Sequence, residues 1–326
     1  MLKERSIGWW TAGILACVSL WALDAAAQNY PVKPIRLVVG YVPGGAVDFT
    51  ARLIGQKLSD AVAQPVVIEN RAGAATAIAT ERVAVAPPDG YTLLLIPIST
   101  AVQSALRTNL PYDLLRDLAP VSLVSIGPFV VAVHPSLPAR SIKELIALAR
   151  AQPGKLNYGS PGVGSANHLV VELYSLLAKV KMEHVPYKGS AEAVVAAASG
   201  QAPVTFSSIA GALPLLESGK LRPLAVTSMR RVSMLPAVPT LDEAGLAGFD
   251  YSAWYGVAAP AAVPKDIVAR LNTAIGKIVQ LQEVKEAFNK QGAEPQGSTP
   301  EQFGALIKRE IEQTTKLIQL TGLKAE

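Results

Sequence analysis

Two short segments carry residue types at a spacing that could do chemistry: Tyr41-Val42-Pro43-Gly44-Gly45-Ala46-Val47-Asp48 and Tyr158-Gly159-Ser160-Pro161-Gly162-Val163-Gly164-Ser165. Each follows an apolar, strand-like run and opens a helical pattern. A helix start leaves backbone N–H groups without partners and carries the positive end of the peptide dipoles, while glycine lets a ligand approach the main chain. Two such turns facing one another would hold an anion.

Other chemistries need residues that this chain does not supply. There is no Gly-x-Ser-x-Gly nucleophile elbow, because Gly159-Ser160-Pro161-Gly162 has the wrong spacing. Three histidines, His134, His168 and His184, form no zinc-binding pair in the sequence, and the single cysteine is Cys17. A dinucleotide fingerprint starting at Gly162 would need glycine at position 167, where Asn167 stands. Neither turn is followed by the Lys-Ser or Lys-Thr of a phosphate-binding Walker loop. What survives is a cradle for a carboxylate, with no catalytic residue, no metal and no cofactor expected.

In that role Gly44, Gly45 and Ala46 offer backbone N–H groups, and Ser160, Gly164 and Ser165 offer N–H and hydroxyl donors. Asp48, in a first helical turn, has two readings: a favourable charge at the helix dipole, or a contact for a ligand amino or hydroxyl group. His168, one turn into its helix, is placed at the rim of the site. Ligands of open α/β sheets gather at the carboxyl ends of strands. Asn70-Arg71 stands at one such end, Ser99 and Thr100 at the end of the third strand, and Ser207 within Phe206-Ser207-Ser208 at another. Tyr187 would wall the pocket, and Gly189 would allow close approach. Tyr41 precedes the first turn.

The elements that must position these residues alternate between β-branched runs and helical patterns, the rhythm of a mostly parallel sheet with crossover helices. Ile35 to Tyr41 reads as a strand, and Ala46 to Val62 as a helix with Phe49, Leu53, Ile54 and Leu58 on one stripe. Strands are expected at Pro65 to Glu69 and Tyr91 to Ile96, flanking a helix at Ala75 to Ala86. A second series starts with a strand at Phe129 to Val133. A helix follows at Ser141, where Glu144 completes the form of a capping box. The reading is two doubly wound α/β domains flanking a cleft, residues 28–130 with 253–326 and residues 131–252, which open and close about a hinge.

A chain of 326 residues, half of them apolar, has ample material for two cores. Lys3 and Arg5 precede an apolar stretch from Ile7 to Leu23, and Ala25-Ala26-Ala27 has the form of a signal-peptidase site. Residues 1–27 are therefore read as a cleaved export signal. The rival is lipid attachment at Cys17 after Ile14-Leu15-Ala16, but the apolar run continues past it. No later stretch reaches the roughly 20 apolar residues that span a bilayer, so the mature chain is expected to be soluble and monomeric in the periplasm. The formal net charge of +5 suits an anionic ligand, and its scattered basic residues lack the stripe of a nucleic-acid binder.

Taken together, several segments resemble the extracytoplasmic solute receptors of tripartite tricarboxylate transporters, also called Bug proteins. They include Tyr30-Pro31-Val32-Lys33-Pro34, Pro43-Gly44-Gly45 with Asp48 and Arg52, and Glu69-Asn70-Arg71 with Gly73-Ala74. Asp89-Gly90-Tyr91, Tyr158-Gly159-Ser160, Gly164-Ser165 with His168, Val185-Pro186-Tyr187-Lys188-Gly189 and Trp254-Tyr255-Gly256 add to the match. The resemblance implies a fold like the type II periplasmic binding proteins. It also implies capture of a small organic carboxylate through the two glycine turns, partly through ordered water, and delivery to permease subunits. A sensor-kinase ectodomain is the rival partner, and an exported enzyme the more distant alternative. One departure is that Val204-Thr205-Phe206 lacks an acidic residue frequent in the family, which counts against a ligand whose ammonium group needs a carboxylate there.

Overall fold

A computed structural model of the chain describes residues 30–323. The expected export signal, Cys17 and the expected cleavage site after Ala27 lie outside the described residues. The first series runs β1 (Ile35–Val39), α1 (Ala46–Val62), β2 (Val66–Asn70), α2 (Ala77–Ala84), β3 (Thr92–Pro97), α3 (Ile98–Leu106) and α4 (Leu114–Asp117). β1 pairs in parallel with both β2 and β3. Along α1, Val47, Ala51, Ile54 and Leu58 recur at spacings of three and four and are buried. They lie in one cluster with Leu37, Val39, Leu93 and Leu95, each large side chain contributing about 1.5–3 kcal/mol of burial.

β4 (Leu118–Val133) then leads into α5 (Ile142–Ala151), β5 (Asn157–Ser160), α6 (Ala166–Ala178), β6 (Glu183–Pro186), α7 (Ser190–Ala198), β7 (Val204–Ser208), α8 (Ile209–Glu217) and β8 (Arg222–Val226). The chain returns through β9 (Ser252–Pro260), α9 (Lys265–Ile278), α10 (Gln282–Asn289), β10 (Glu294–Pro295) and α11 (Pro300–Thr321). The sheet is mixed, in the order β2-β1-β3-β9-β4-β7-β5-β6. Ser141 caps α5 by accepting from Glu144 N, but the Glu144 carboxylate reaches Arg140 N and not Ser141 N, so only half of the expected capping box forms.

β4 differs most from the sequence expectation, beginning at Leu118 where a strand was expected from Phe129. Pro120, Gly127 and Pro128 disguise it as loop. Pro120 sits beside a register shift and Pro128 at the end of the ladder with β9, the places where a sheet tolerates a residue without an N–H. Up to Pro128 the strand pairs with β9, and from Phe129 with β7 and β8. Thr227 fastens this crossing: its N–H donates to Phe129 O at 3.0 Å, and its Oγ1 accepts from Phe129 N at 2.8 Å. The same hydroxyl donates to Tyr251 O at 2.6 Å, beside the start of β9.

Two apolar clusters lie to either side of the crossing, one around Leu37, Ile54, Val257 and Phe288, the other around Val131, Tyr158, Tyr174 and Phe206. A third joins them. In it Leu169 of α6 is buried with Ile96, Val102, Trp254, Phe303 and Ile307.

Candidate ligand-binding cleft

β1 delivers the chain into the first glycine turn, and α1 begins at Ala46. Gly45, in extended conformation at the N-cap, gives α1 no side-chain cap, so the amides of Ala46 and Val47 keep the open hydrogen-bonding capacity of a first helical turn. The turn is exposed from Val42 to Ala46. Gly44, at a left-handed φ of 97°, is already spent: its N–H donates to Asp48 Oδ2 at 3.0 Å.

Asp48 is buried and receives two further donors, Arg52 Nε at 2.8 Å and Asn70 Nδ2 at 2.9 Å. Burial by itself would raise its pKa; Arg52, the Gly44 amide and Asn70 together outweigh burial and hold it below the usual carboxylate value. With both oxygens engaged, Asp48 is a clasp that shapes the turn, binding more groups than either sequence reading supposed. Asn70 extends the clasp by donating to Tyr41 O at 3.0 Å.

Ser99 and Thr100 stand in the first turn of α3, not at the end of β3 as expected. β-Branched Ile98, Thr100 and Val102 weaken the helical signal of this segment in the sequence. Ser99 Oγ lies 2.7 Å from Tyr41 OH. Burial raises the hydroxyl pKa of both Tyr41 and Tyr255, and Tyr41 raises that of Tyr255 further, so both remain neutral and able to donate a hydrogen bond. Tyr255 was not singled out as a site residue, although its alternation with Val257 along β9 could have placed it on the face of Tyr41.

The second turn leaves β5 and enters α6. Ser160 Oγ lies 2.6 Å from His184 Nε2 and accepts from Gly162 N at 3.1 Å. Ser165 Oγ caps α6 by accepting from His168 N and donates to Gly162 O at 2.8 Å. Gly164 N donates to His168 Nδ1 at 3.2 Å. Three expected donors, the Ser160 and Ser165 hydroxyls and the Gly164 amide, are thus consumed inside the turn. The first-turn amides of Ala166 and Asn167 stay open, while Asn167 Nδ2 donates to Phe206 O at 2.7 Å.

His168 is not at the rim. It is buried, its ring stacked on His184 at 4.2 Å, and His184 stacks in turn on Tyr158 at 5.1 Å. Desolvation first and the neighbouring His184 second push its pKa down to about 3. Tyr187 donates its N–H to Ser160 O and lays its ring against Gly159. Gly189 is the N-cap of α7, again without a side-chain cap, and the Ser207 hydroxyl is buried with no hydrogen-bond partner among the described residues.

Gly164 is buried where the second turn meets α3. Its φ is +73°, and a Cβ there would lie 2.6 Å from Gln103 Nε2 and 2.8 Å from Leu106 Cδ2. Gly164→Ala is expected to lose about 1–2 kcal/mol from the left-handed backbone alone, with the collision in addition. Urea unfolding measures it; a variant as stable as the parent would mean that the turn moves freely off α3.

The family model described as "Tripartite tricarboxylate transporter family receptor" matches residues 50–323. The chain belongs to this receptor family. It is 39% identical over 316 residues to Protein BugT of Bordetella pertussis, covering 96% of this chain and 95% of that protein. An R. palustris structure described with adipate superposes at a TM-score of 0.84 with 35% identity, over 91% of this chain and 99% of that one. MatC of Rhodopseudomonas palustris with bound malate gives 0.79 and 32%, over 89% and all of that chain. BugD, a periplasmic binding protein at 0.81 and 30%, shares the fold over 91% of this chain and all of its own. The family resemblance seen in the glycine turns and the periplasmic-binding-protein fold it implied both hold. No helix among the described residues is long and apolar enough to cross a membrane.

Proposed function

We propose that this receptor works in the periplasm without chemical turnover, capturing a small organic carboxylate in a cleft between residues 28–130 with 253–326 and residues 131–252. It then presents that solute to a tripartite-type permease. The uncapped start of α1 at Gly45 carries the reading: open first-turn amides at the carboxyl end of β1, a strand paired on both sides, suit a carboxylate. Adipate and malate in the two similar structures support it. Tyr41, Tyr255, Tyr187 and the ends of β6 and β7 are the places where selectivity among acids would be set.

Isothermal titration against mono-, di- and tricarboxylates, adipate and malate among them, tests this. At least one acid is expected to bind one-to-one and to be recovered unchanged. Binding of none of them, with tight binding of a non-acid, would overturn the proposal. Pull-down with permease subunits and with sensor-kinase ectodomains decides the partner, and capture of the permease is expected.

A further inference from the structure

Helix α3 and its C-cap residue carry a polar stripe, Ser99, Gln103 and Arg107, at intervals of four residues. Every member is bonded. Ser99 holds Tyr41 of the first turn. Gln103, 1% exposed, donates from Nε2 to Gly164 O of the second turn at 3.3 Å. Its Oε1 accepts from Arg107 Nε at 2.9 Å.

The amide of glutamine can turn over with little change of shape, so something must decide which end meets the second turn. Arg107 decides it. A guanidinium has only donors, so it claims the oxygen and leaves the NH₂ group for Gly164. Gly164 is then gripped from both sides, its N–H by His168 of α6 and its carbonyl by Gln103 of α3. The surrounding contacts of Leu169 with Ile96 and Val102 are apolar. Such packing fixes proximity but tolerates sliding, whereas a hydrogen bond fixes register.

We infer that Gln103 is a positioning residue: with Ser99 it makes α3 a gauge that sets the second glycine turn relative to the first. The consequence for carboxylate spacing rests on the proposed function; the gauge itself does not.

The test uses Gln103→Glu, which keeps the acceptor for Arg107 but turns the donor facing Gly164 O into a repelling oxygen. Gln103→Met, similar in shape and without either bond, is the second variant should the first fold poorly. Spin labels on Asp60→Cys and Lys181→Cys, both exposed and one on each side of the crossing, report the separation by pulsed electron resonance in ligand-free protein. Both Gln103 variants are expected to lengthen or broaden the distance distribution and to weaken adipate or malate binding at least tenfold. Arg107→Met is expected to do the same more weakly, because the amide is then free to turn over. A purely structural role would lower the melting temperature and leave the distances unchanged. Distributions in Gln103→Glu and Gln103→Met that superimpose on the parent would overturn the inference. If the distances shift while the parent binds no acid, the gauge stands and the carboxylate reading falls.

Discussion

Gly45→Asp is expected to weaken carboxylate binding by at least 100-fold while leaving the fold as stable as before or slightly more so. Position 45 already has the extended backbone of an N-cap, with φ −89° and ψ 176°, and no side-chain cap. A Cβ there meets nothing within 4 Å. An aspartate is therefore accommodated and accepts from the open first-turn amides, improving on glycine by a few tenths of a kcal/mol, with a dipole contribution of about 0.3–1 kcal/mol. Asp48 offsets part of this by repulsion, although Arg52 already neutralises it. The same carboxylate stands where the ligand's would stand. It takes the donors and adds like charge, and 100-fold corresponds to about 2.8 kcal/mol, reasonable for two lost charge-assisted hydrogen bonds. Titration calorimetry beside urea unfolding reads both quantities. Gly45→Asn, a cap without charge, is expected to lose less affinity. Binding by Gly45→Asp within tenfold of the parent would place the ligand elsewhere.

Such a separation of affinity from stability was legible in the sequence only in outline. The period of α1 and the β-branched run of β1 are local signals, and both turns lie where those signals end. Which donors remain open was not legible. Gly44, Ser160, Gly164 and Ser165 looked like ligand donors because their spacing was right. Their commitment to Asp48, His184, His168 and Gly162 depends on how residues separated by 3 to 24 positions fold back on the turns. α3 was hidden by β-branched residues favoured in strands, and with it Gln103, the contact between the turns. β4 was hidden by prolines that its bulge and ladder end accommodate.

The same hidden elements alter the expected hinge. Freely moving halves are the default when the surface between them is polar and modest. Here Leu169 of α6 is buried among residues of β3, α3, β9 and α11. In the proposed two-domain cleft, Thr227, which ties Phe129 to Tyr251, stands where opening would pivot, and opening would have to retain or break this packing. The two glycine turns thus sit beside packed apolar contacts, and the proposed function would depend on small displacements of the second turn as well as on opening.

Acid is expected to loosen the second turn through His168. A histidine whose pKa is about 3 when folded and 6.5 when unfolded binds fewer protons folded than unfolded between those values. Stability therefore rises with pH across this window: it is complete above about 6.5 and is lost progressively as pH falls toward 3. At pH 5 the loss from this residue is about 2 kcal/mol, at about 1.4 kcal/mol per pH unit below 6.5. Geometry gives the cause independently. Nδ1 is committed as the acceptor of Gly164 N–H, so a proton there would break the bond and leave a buried amide unpartnered. Glu172, 3.7 Å from Nε2, favours the protonated ring, but it is already the acceptor of Tyr158 OH, and burial outweighs it. His168→Asn keeps an acceptor near Nδ1 and cannot titrate. It is expected to be less stable than the parent at pH 7, because it loses the ring stack, and to show a flatter decline from pH 7 to pH 5 in urea unfolding. The difference in slope between the two proteins is the readout for His168. Parallel slopes would show that protons enter the folded protein without touching Gly164, and that the second turn is not held by this imidazole.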